Sequence, residues 1–497
     1  MRRGRERNGD TQLVALAECH RFEASGQKLV VHVATRHFFA YDERAELALG
    51  LLERGPLERE ALEAELARQM GRENAAVVMR QLDSFGLLMD PRYPPATPPG
   101  PSQQPYIGAA DFNVASACNL RCRYCFVGFD REHPQWVSQP IYETGGAALM
   151  SEETARRAVD WLLAAAGPSP SIHIIFFGGE PLLAFDLVRY VMSYTEETAA
   201  SVGKTVRFGM STNGVLIRPE LLNLVEEHSL DFQVSLDGPP EIHDRFRPMG
   251  NGRPSYQQIV GNLAHLPRPL AVNISARATL HRYSLDMLGI VKHFRQLGFR
   301  SILTAPAHGG GGEYALRRED WQVLAEALEE TAAYYVESIR AGEFFYFPPL
   351  AGVSLTYAPE HVRHFTCGAG RQYLCIHTDG GIYLCHALVG LERFRLGDVY
   401  EGIRSDLLRQ VGQLHVAARE NCRECWARYL CGGGCLAVHL EESGDIATCA
   451  NGPRCDYIRR SFELSMGVRA SLTAREIETI QKEFDLASDV CPPPDGL

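Results

Sequence analysis

Residues Ala115 to Phe126 read ASACNLRCRYCF and hold three cysteines, Cys118, Cys122 and Cys125, in the spacing C-x3-C-x2-C. Three thiols this close suit a metal site better than a disulfide framework. A closed structural zinc site takes four ligands, and a cubane iron–sulfur cluster usually takes four cysteines, one per iron. Either a fourth ligand arrives from elsewhere and the site is structural, or one iron stays open and can bind and act on a small molecule. Tyr124, just before the third thiol, can shield such a cluster or line a ligand pocket. The stretch follows an apolar run, Asp111 to Ala115, that reads as a strand. A second apolar run, His173 to Phe177, ends in Gly178, Gly179, Glu180 and Pro181. Paired glycines at a strand end let a ligand approach the backbone, and the carboxylate beside them can receive an amino group.

Together the two motifs resemble those of the radical S-adenosylmethionine enzymes, which place a three-cysteine motif after the first barrel strand and a GGEP-type motif after the second. The resemblance implies that Cys118, Cys122 and Cys125 are the catalytic cysteines and hold a [4Fe–4S] cluster. It implies reductive cleavage of S-adenosylmethionine to methionine and a 5′-deoxyadenosyl radical. Glu180 takes the methionine amino group, Gly178 and Gly179 make backbone contacts, and Tyr124 lies at the cofactor. Ser235 meets ribose hydroxyls or the carboxylate, and Arg277 binds the carboxylate by a charge-assisted bond.

Composition narrows the remaining classes. A chain of 497 residues with a formal charge of -11 is long enough for several domains and is no general nucleic-acid binder, which needs a basic surface. The basic N-terminus is followed by LVALA, cut short by Glu18 and His20, so no signal core is expected there. No run approaches the length of a membrane span, and a soluble cytoplasmic protein with no membrane partner is expected. Fourteen cysteines without an export signal point to metal binding, with Cys19 and Cys491 as bystanders.

The expected fold class is α/β, in six segments. Residues 1–90 read as three short strands followed by helices at Glu43–Glu53, Glu58–Met70 and Arg72–Phe85, compatible with a winged-helix domain. This order resembles the peptide-recognition domains of pathways that modify ribosomally made peptides, which bind a leader segment as an added strand; a packing domain without ligand fits it as well. A proline-rich linker spans 91–105. Residues 106–310 alternate strands and helices, with strands at Asp111–Ala115, His173–Phe177, Val206–Ser211, Asp231–Ser235, Ala271–Thr279 and Ser301–Thr304. By the resemblance this is a partial (β/α)6 barrel, with chemistry at the C-terminal strand ends. HDRFRP, His243 to Pro248, resembles a loop near the substrate in related peptide modifiers, and reads equally as a solvated ion-paired loop. Residues 133–150 form a long loop, and the four glycines at 309–312 lack the Lys-Ser or Lys-Thr of a phosphate loop. A helical bridge covers 311–365, a cysteine-rich domain 366–465 and a tail 466–497.

In that cysteine-rich part, Cys367-x12-Gly380-x4-Cys385 is followed by Cys422, Cys425, Cys431 and Cys435 as C-x2-C-x5-C-x3-C, then by Cys449 and Cys455. The pattern resembles the SPASM extension, which implies two auxiliary [4Fe–4S] clusters and three in all. Carried over, Cys367, Cys385 and Cys435 hold the first, completed by Cys375 or left with an open iron. Cys422, Cys425, Cys431 and Cys455 hold the second, Cys455 being preferred to Cys449 because a helix follows it directly. Zinc is the alternative for the C-x2-C part alone.

SPASM enzymes mostly modify peptides or proteins. Sulfatase maturases carry an aspartate directly after the cysteine where this chain has His386, which counts against formylglycine formation, although histidine can itself act as a base. CGAG at Cys367 and LCHALVG after the hairpin look most like the thioether-forming maturases of quinohemoprotein amine dehydrogenase, which join cysteine sulfur to the side-chain methylene of Asp or Glu. The expected partners are a peptide or small cysteine-rich protein and an electron donor such as flavodoxin or ferredoxin. The alternatives are a carbon–carbon crosslinking maturase and a non-catalytic iron–sulfur scaffold that only binds a peptide.

Overall fold

The structure is a computed structural model that describes residues 12–93, 106–125, 129–130, 135–136, 149–266, 274–307, 312–354, 362–404 and 406–488. Most of the linker, of the loop at 133–150 and of the glycines at 309–312 lies outside these residues, as do Cys491, residues 1–11 and the start of the expected strand at Ala271.

The N-terminal unit opens with β1 (Leu13–Leu16), β2 (Cys19–Ala24), β3 (Gln27–His32) and β4 (Phe38–Ala40). Then come α1 (Glu43–Leu52), β5 (Leu57–Glu58), α2 (Arg59–Met70), α3 (Arg72–Ser84) and β6 (Leu88–Met89). The three expected strands are β2 to β4, an antiparallel sheet, and β1 forms a second small sheet with β5 and β6 that periodicity did not show. Asp42 sets the start of α1, its carboxylate accepting from the Arg44 and Ala45 amides. The two-residue period of β3 divides its side chains: Val30 packs with the helices α1 to α3, whereas Leu29 and Val31 join the core of the rest of the molecule.

The barrel begins with β7 (Ala109–Ala115) and a two-residue hairpin, β8 (Phe129–Asp130) and β9 (Gln135–Trp136). It continues as α4 (Glu152–Ala165), β10 (Ser171–Gly178), α5 (Phe185–Ser201), β11 (Thr205–Thr212), α6 (Pro219–His228) and β12 (Leu230–Ser235). After α7 (Pro240–Phe246) and α8 (Tyr256–Leu263) it closes with β13 (Ile274–Leu280), α9 (Met287–Gln296) and β14 (Ser301–Pro306). The six strands β7, β10, β11, β12, β13 and β14 pair in parallel in chain order, as the alternation of strands and helices predicts. Phe112, Ile174, Phe176, Phe208, Phe232 and Ala276 point out under the helices and are fully buried. The intervening residues, among them Asp111, His173, Arg207, Ser235 and Arg277, share the opposite, inner face.

The chain then runs through α10 (Arg318–Arg340) and α11 (Pro348–Ser354) to β15 (Tyr373–Ile376), β16 (Gly381–Tyr383), β17 (Arg395–Asp398) and β18 (Gly402–Ile403). The expected hairpin around Asp379 and Gly380 is present, but it does not stand apart. β15 pairs in parallel with β7, so one ten-stranded sheet continues from the barrel into the cysteine-rich segment. Short helices α12 (Asp406–Gly412), α13 (Glu420–Arg423), α14 (Arg428–Cys431) and α15 (Leu436–Ser443) carry the later cysteines. They lead to α16 (Pro453–Ala470), with Pro453 in its first turn, and α17 (Ala474–Ser488). The N-terminal unit seats on α14 and α16. Glu18 pairs with Arg428, His20 bonds Glu463 at 2.8 Å and stacks on Trp426 at 4.1 Å, and Gly467 lets α16 approach Ala24.

No described helix is long and apolar enough to cross a membrane.

Candidate active site and cysteine arrays

Cys118, Cys122 and Cys125 sit on the loop that leaves the C-terminal end of β7. Backbone bonds fasten this loop to the segment after α7: Arg123 N donates to Phe246 O, Arg121 N to Pro248 O and Gly250 N to Asn119 O, all at 2.8–2.9 Å. Donors are aimed at the sulfurs. The Leu120 amide lies 3.4 Å and the Asn213 amide nitrogen 3.7 Å from Cys118 Sγ, and Arg247 Nη1 lies 4.0 Å from Cys122 Sγ. Burial pushes both thiols up to about 12, and at Cys118 the neighbouring Cys122 adds to it. Thiols held this way ionise only against a bound cationic centre, and loading one releases protons.

The glycines of β10 are required by packing against the cysteine loop. A Cβ on Gly178 would stand 2.2 Å from Ala115 O, and one on Gly179 would stand 2.1 Å from Ala117 O. The close approach is made by the cysteine loop itself, through Gly179 N to Ala115 O and Glu180 N to Ala117 O. Glu180 is wholly buried, and its carboxylate accepts from Leu182 N at 3.0 Å, Thr212 Oγ1 at 2.8 Å and Asn213 N at 2.7 Å. Burial raises its pKa to about 7 against those three bonds. Glu180, expected to meet a ligand amine, ties the ends of β10 and β11 together through these bonds.

Tyr124, expected at the cofactor, is also turned inward, with 6% of its surface exposed. Its hydroxyl donates to Asp237, and its ring lies among Phe246, His281 and Tyr314. Asp237 is fully buried and accepts from Arg247 Nε and from the Thr279 amide, each at 3.0 Å. Burial alone would raise the Asp237 carboxyl; Arg247 and His243 outweigh it and hold the group below its ordinary value. HDRFRP is therefore no solvated loop: it is the end of α7 and a buried arginine that links Asp237, Thr279 and Cys122. Sequence reasoning missed Asp237 and Arg247, although Asp237 lies two residues after Ser235 and Arg247 lies within HDRFRP. Ser235 and Arg277 are register partners on β12 and β13. Among the described residues Arg277 has no hydrogen-bond or ion-pair partner, and burial lowers its pKa. A cation held there without an anion fits a carboxylate ligand.

The later cysteines fall into two sets, the first made of two separate pairs. Cys367 lies beside Cys435, with Arg371 and Arg419 near, and burial raises its pKa to about 11. Cys385 lies beside Cys375, which is wholly buried and faces Asp111. The second group holds five thiols rather than four. Cys449 is in hydrogen-bond contact with Cys422 and lies 3.8 Å from Cys455, and Cys431 neighbours both Cys425 and Cys449. The choice of Cys455 over Cys449 is thus not reproduced: both thiols are at the site. Val33 of the N-terminal unit packs against this group with Val416 and Tyr429. Among the described residues no set of three or more His, Cys, Asp or Glu side chains closes on a single metal ion.

Between the first group and the barrel lies a polar cluster. Asp111 Oδ2 is 2.5 Å from His386 Nδ1, Tyr373 OH bonds both Asp111 and His386, and the Phe177 ring lies 4.5 Å from the His386 ring.

Residues 112–268 match the family model of the radical SAM superfamily. This part of the chain is a radical SAM domain. Relatives extend beyond it. The serine-type anaerobic sulfatase-maturating enzyme of Klebsiella aerogenes is 25% identical over 354 residues, 68% of this chain and 81% of that protein. The cysteine-type enzyme of Clostridium novyi (strain NT) is 25% identical over 341 residues, 65% of this chain and 86% of that protein. A solved structure described as "Native anSMEcpe with bound AdoMet and Kp18Cys peptide" superposes with a TM-score of 0.58 at 18% identity, covering 76% of this chain and 99% of that one, a likeness of fold. The radical SAM domain supplies what a site-differentiated cluster needs: three thiols on one loop and N–H donors aimed at two of them.

Proposed function

We propose that this chain is a radical SAM enzyme that modifies a ribosomally made peptide or small cysteine-rich protein, forming thioether links from cysteine sulfur to the side-chain methylene of Asp or Glu. The observation that carries the radical SAM part is the placing of Cys118, Cys122 and Cys125 on the loop at the C-terminal end of β7, with the Arg277 guanidinium on the inner face of the same parallel barrel near Tyr124, Asp237 and Arg247. The named functions of the sulfatase-maturating relatives support a peptide or protein substrate.

Cys118, Cys122 and Cys125 would hold a [4Fe–4S] cluster that, with S-adenosylmethionine, supplies a 5′-deoxyadenosyl radical able to take hydrogen from an unactivated carbon. In this reading Arg277 binds the methionine carboxylate and Ser235 the cofactor hydroxyls. Arg247 and Asn213 orient two of the cysteine sulfurs, and Tyr124 and Asp237 brace the loop from beneath. Cys367, Cys385 and Cys435 would hold one auxiliary cluster, leaving a ligand position for a substrate thiolate because Cys375 is packed against Asp111. Residues 12–93 would present the leader of the substrate, and flavodoxin or ferredoxin would deliver electrons.

A second reading, oxidation of a substrate residue to formylglycine as in sulfatase maturation, has one observation in its favour. Asp111 places a carboxylate against His386, the residue that stands where those enzymes carry aspartate.

Anaerobic coexpression with a cysteine-rich peptide encoded beside this chain separates the two. Thioether formation removes a hydrogen pair per link and protects the linked thiols from alkylation after reduction. Formylglycine leaves an aldehyde that a hydrazide probe captures. Mass loss with every thiol still reactive and no aldehyde would replace both with carbon–carbon crosslinking. Absence of 5′-deoxyadenosine would leave the non-catalytic scaffold.

A further inference from the structure

A cubane cluster usually takes four cysteines, one per iron, and the second cysteine group offers five thiols. Cys422, Cys425 and Cys431 come as a set from one short stretch. Cys425 N donates to Cys422 O at 3.0 Å, and the turn of α14 sets Cys431 behind them. Arg459 Nη1 reaches Cys425 Sγ at 3.8 Å. These three have no competitor. The fourth place has two candidates on the connector into α16: Cys449 on the loop and Cys455 in the first helical turn.

The two are not equivalent by position, yet neither is turned away. Their sulfurs lie 3.8 Å apart. Cys449 also touches Cys422 and His439, and its carbonyl is held by Asn421 Nδ2 at 2.7 Å. Cys455 is within electrostatic reach of Cys431. Val33, Val416 and Tyr429 pack around the group, and within it these two thiols lie side by side and next to the others.

We propose that Cys449 and Cys455 are alternative ligands for one iron of the second auxiliary cluster, either sufficing and the other held in reserve. This rests on the reading of the array as a cluster site. The site then keeps its cluster when one of the two thiols is blocked, which a four-cysteine site cannot do.

The experiment is iron and sulfide content with EPR of the reduced, anaerobically reconstituted full-length chain. A variant with Cys422, Cys425 and Cys431 all changed to Ala tests the underlying reading, and should lack one cluster's worth of iron. If it binds as much iron as the parent, the array is no cluster site and the proposal falls with it. If it loses that iron, the remaining variants decide the ligand question alone. Cys449→Ala and Cys455→Ala should each retain the full iron complement, with EPR signals that differ from one another. The Cys449→Ala/Cys455→Ala double variant should lose one cluster's worth, the iron left on the other cysteines reporting that it folded. Loss of the iron in either single variant identifies a dedicated ligand and overturns the proposal. Retention in the double variant overturns it as well. Should the double variant not accumulate, the single variants still decide, because both must keep their iron.

Discussion

Arg247 shows how far one side chain can act. It is a buried cation with one buried carboxylate, Asp237, as its counter-charge, and it also reaches Thr279 and a cysteine of the cluster loop. Removing one partner of a buried pair leaves the other charge without compensation. Arg247→Leu is therefore expected to cost about 3–5 kcal/mol in denaturant unfolding, and the Asp237→Asn/Arg247→Leu pair to cost less than the single change. Histidines act at the same scale. Burial lowers His173, His243 and His281 to about 4, while burial raises Glu180 to about 7. Between pH 4.5 and 6.5 the unfolded chain binds protons at the three histidines that the folded chain refuses. The folded chain alone holds one at Glu180. Three against one makes stability rise with pH across that window, and above it the histidine and Glu180 contributions approach balance and the curve flattens. Urea unfolding of the cofactor-free protein at pH 5.0 and 6.5 should show a higher midpoint at 6.5.

At the scale of elements, glycines set which pieces can touch. Gly467 sits in the last turn of α16, where a Cβ would stand 2.7 Å from the Ala24 Cβ. Gly467→Leu should lift the N-terminal unit off α16. Limited proteolysis should then release it, and cleavage of S-adenosylmethionine without peptide should persist while peptide modification falls. Most barrel strands and, to within a residue, the bounds of α1 to α3 were legible from sequence, because the period of burial is a local property. Partners were not. Asp237 meets Arg247 ten residues on and Tyr124 more than a hundred back, and no periodicity encodes such a meeting. The inward turn of Glu180 was hidden for the same reason: its donors come from Thr212 and Asn213, on the next strand. Cys449 was passed over because chain order favoured the cysteine nearest a helix, whereas distance in space is what a ligand set reads.

The whole molecule joins its N-terminal unit to the cysteine arrays by direct packing. Val33 is buried against Cys422, Cys449, Tyr429 and Val416. Val33→Asp would press an unpaired carboxylate into that contact. The expected result is selective loss of iron from the second auxiliary array, with the EPR signal of the Cys118, Cys122 and Cys125 site retained. Equal loss at both sites would mean general unfolding, which near-ultraviolet circular dichroism would reveal.

One ladder of hydrogen bonds also runs from the barrel into the cysteine-rich segment, with Asp111 opposite Cys375 and Ala109 opposite Tyr373. That ladder is a ruler. The span between the cysteine loop at the end of β7 and the sulfurs on and beyond β15 is set by whole residues of strand pairing rather than by the length of a tether. Residues can be added to the connecting loops without changing it. One residue inserted into β15 would turn Tyr373 and Cys375 to the opposite face, and the two halves of the chemistry would no longer share a scale.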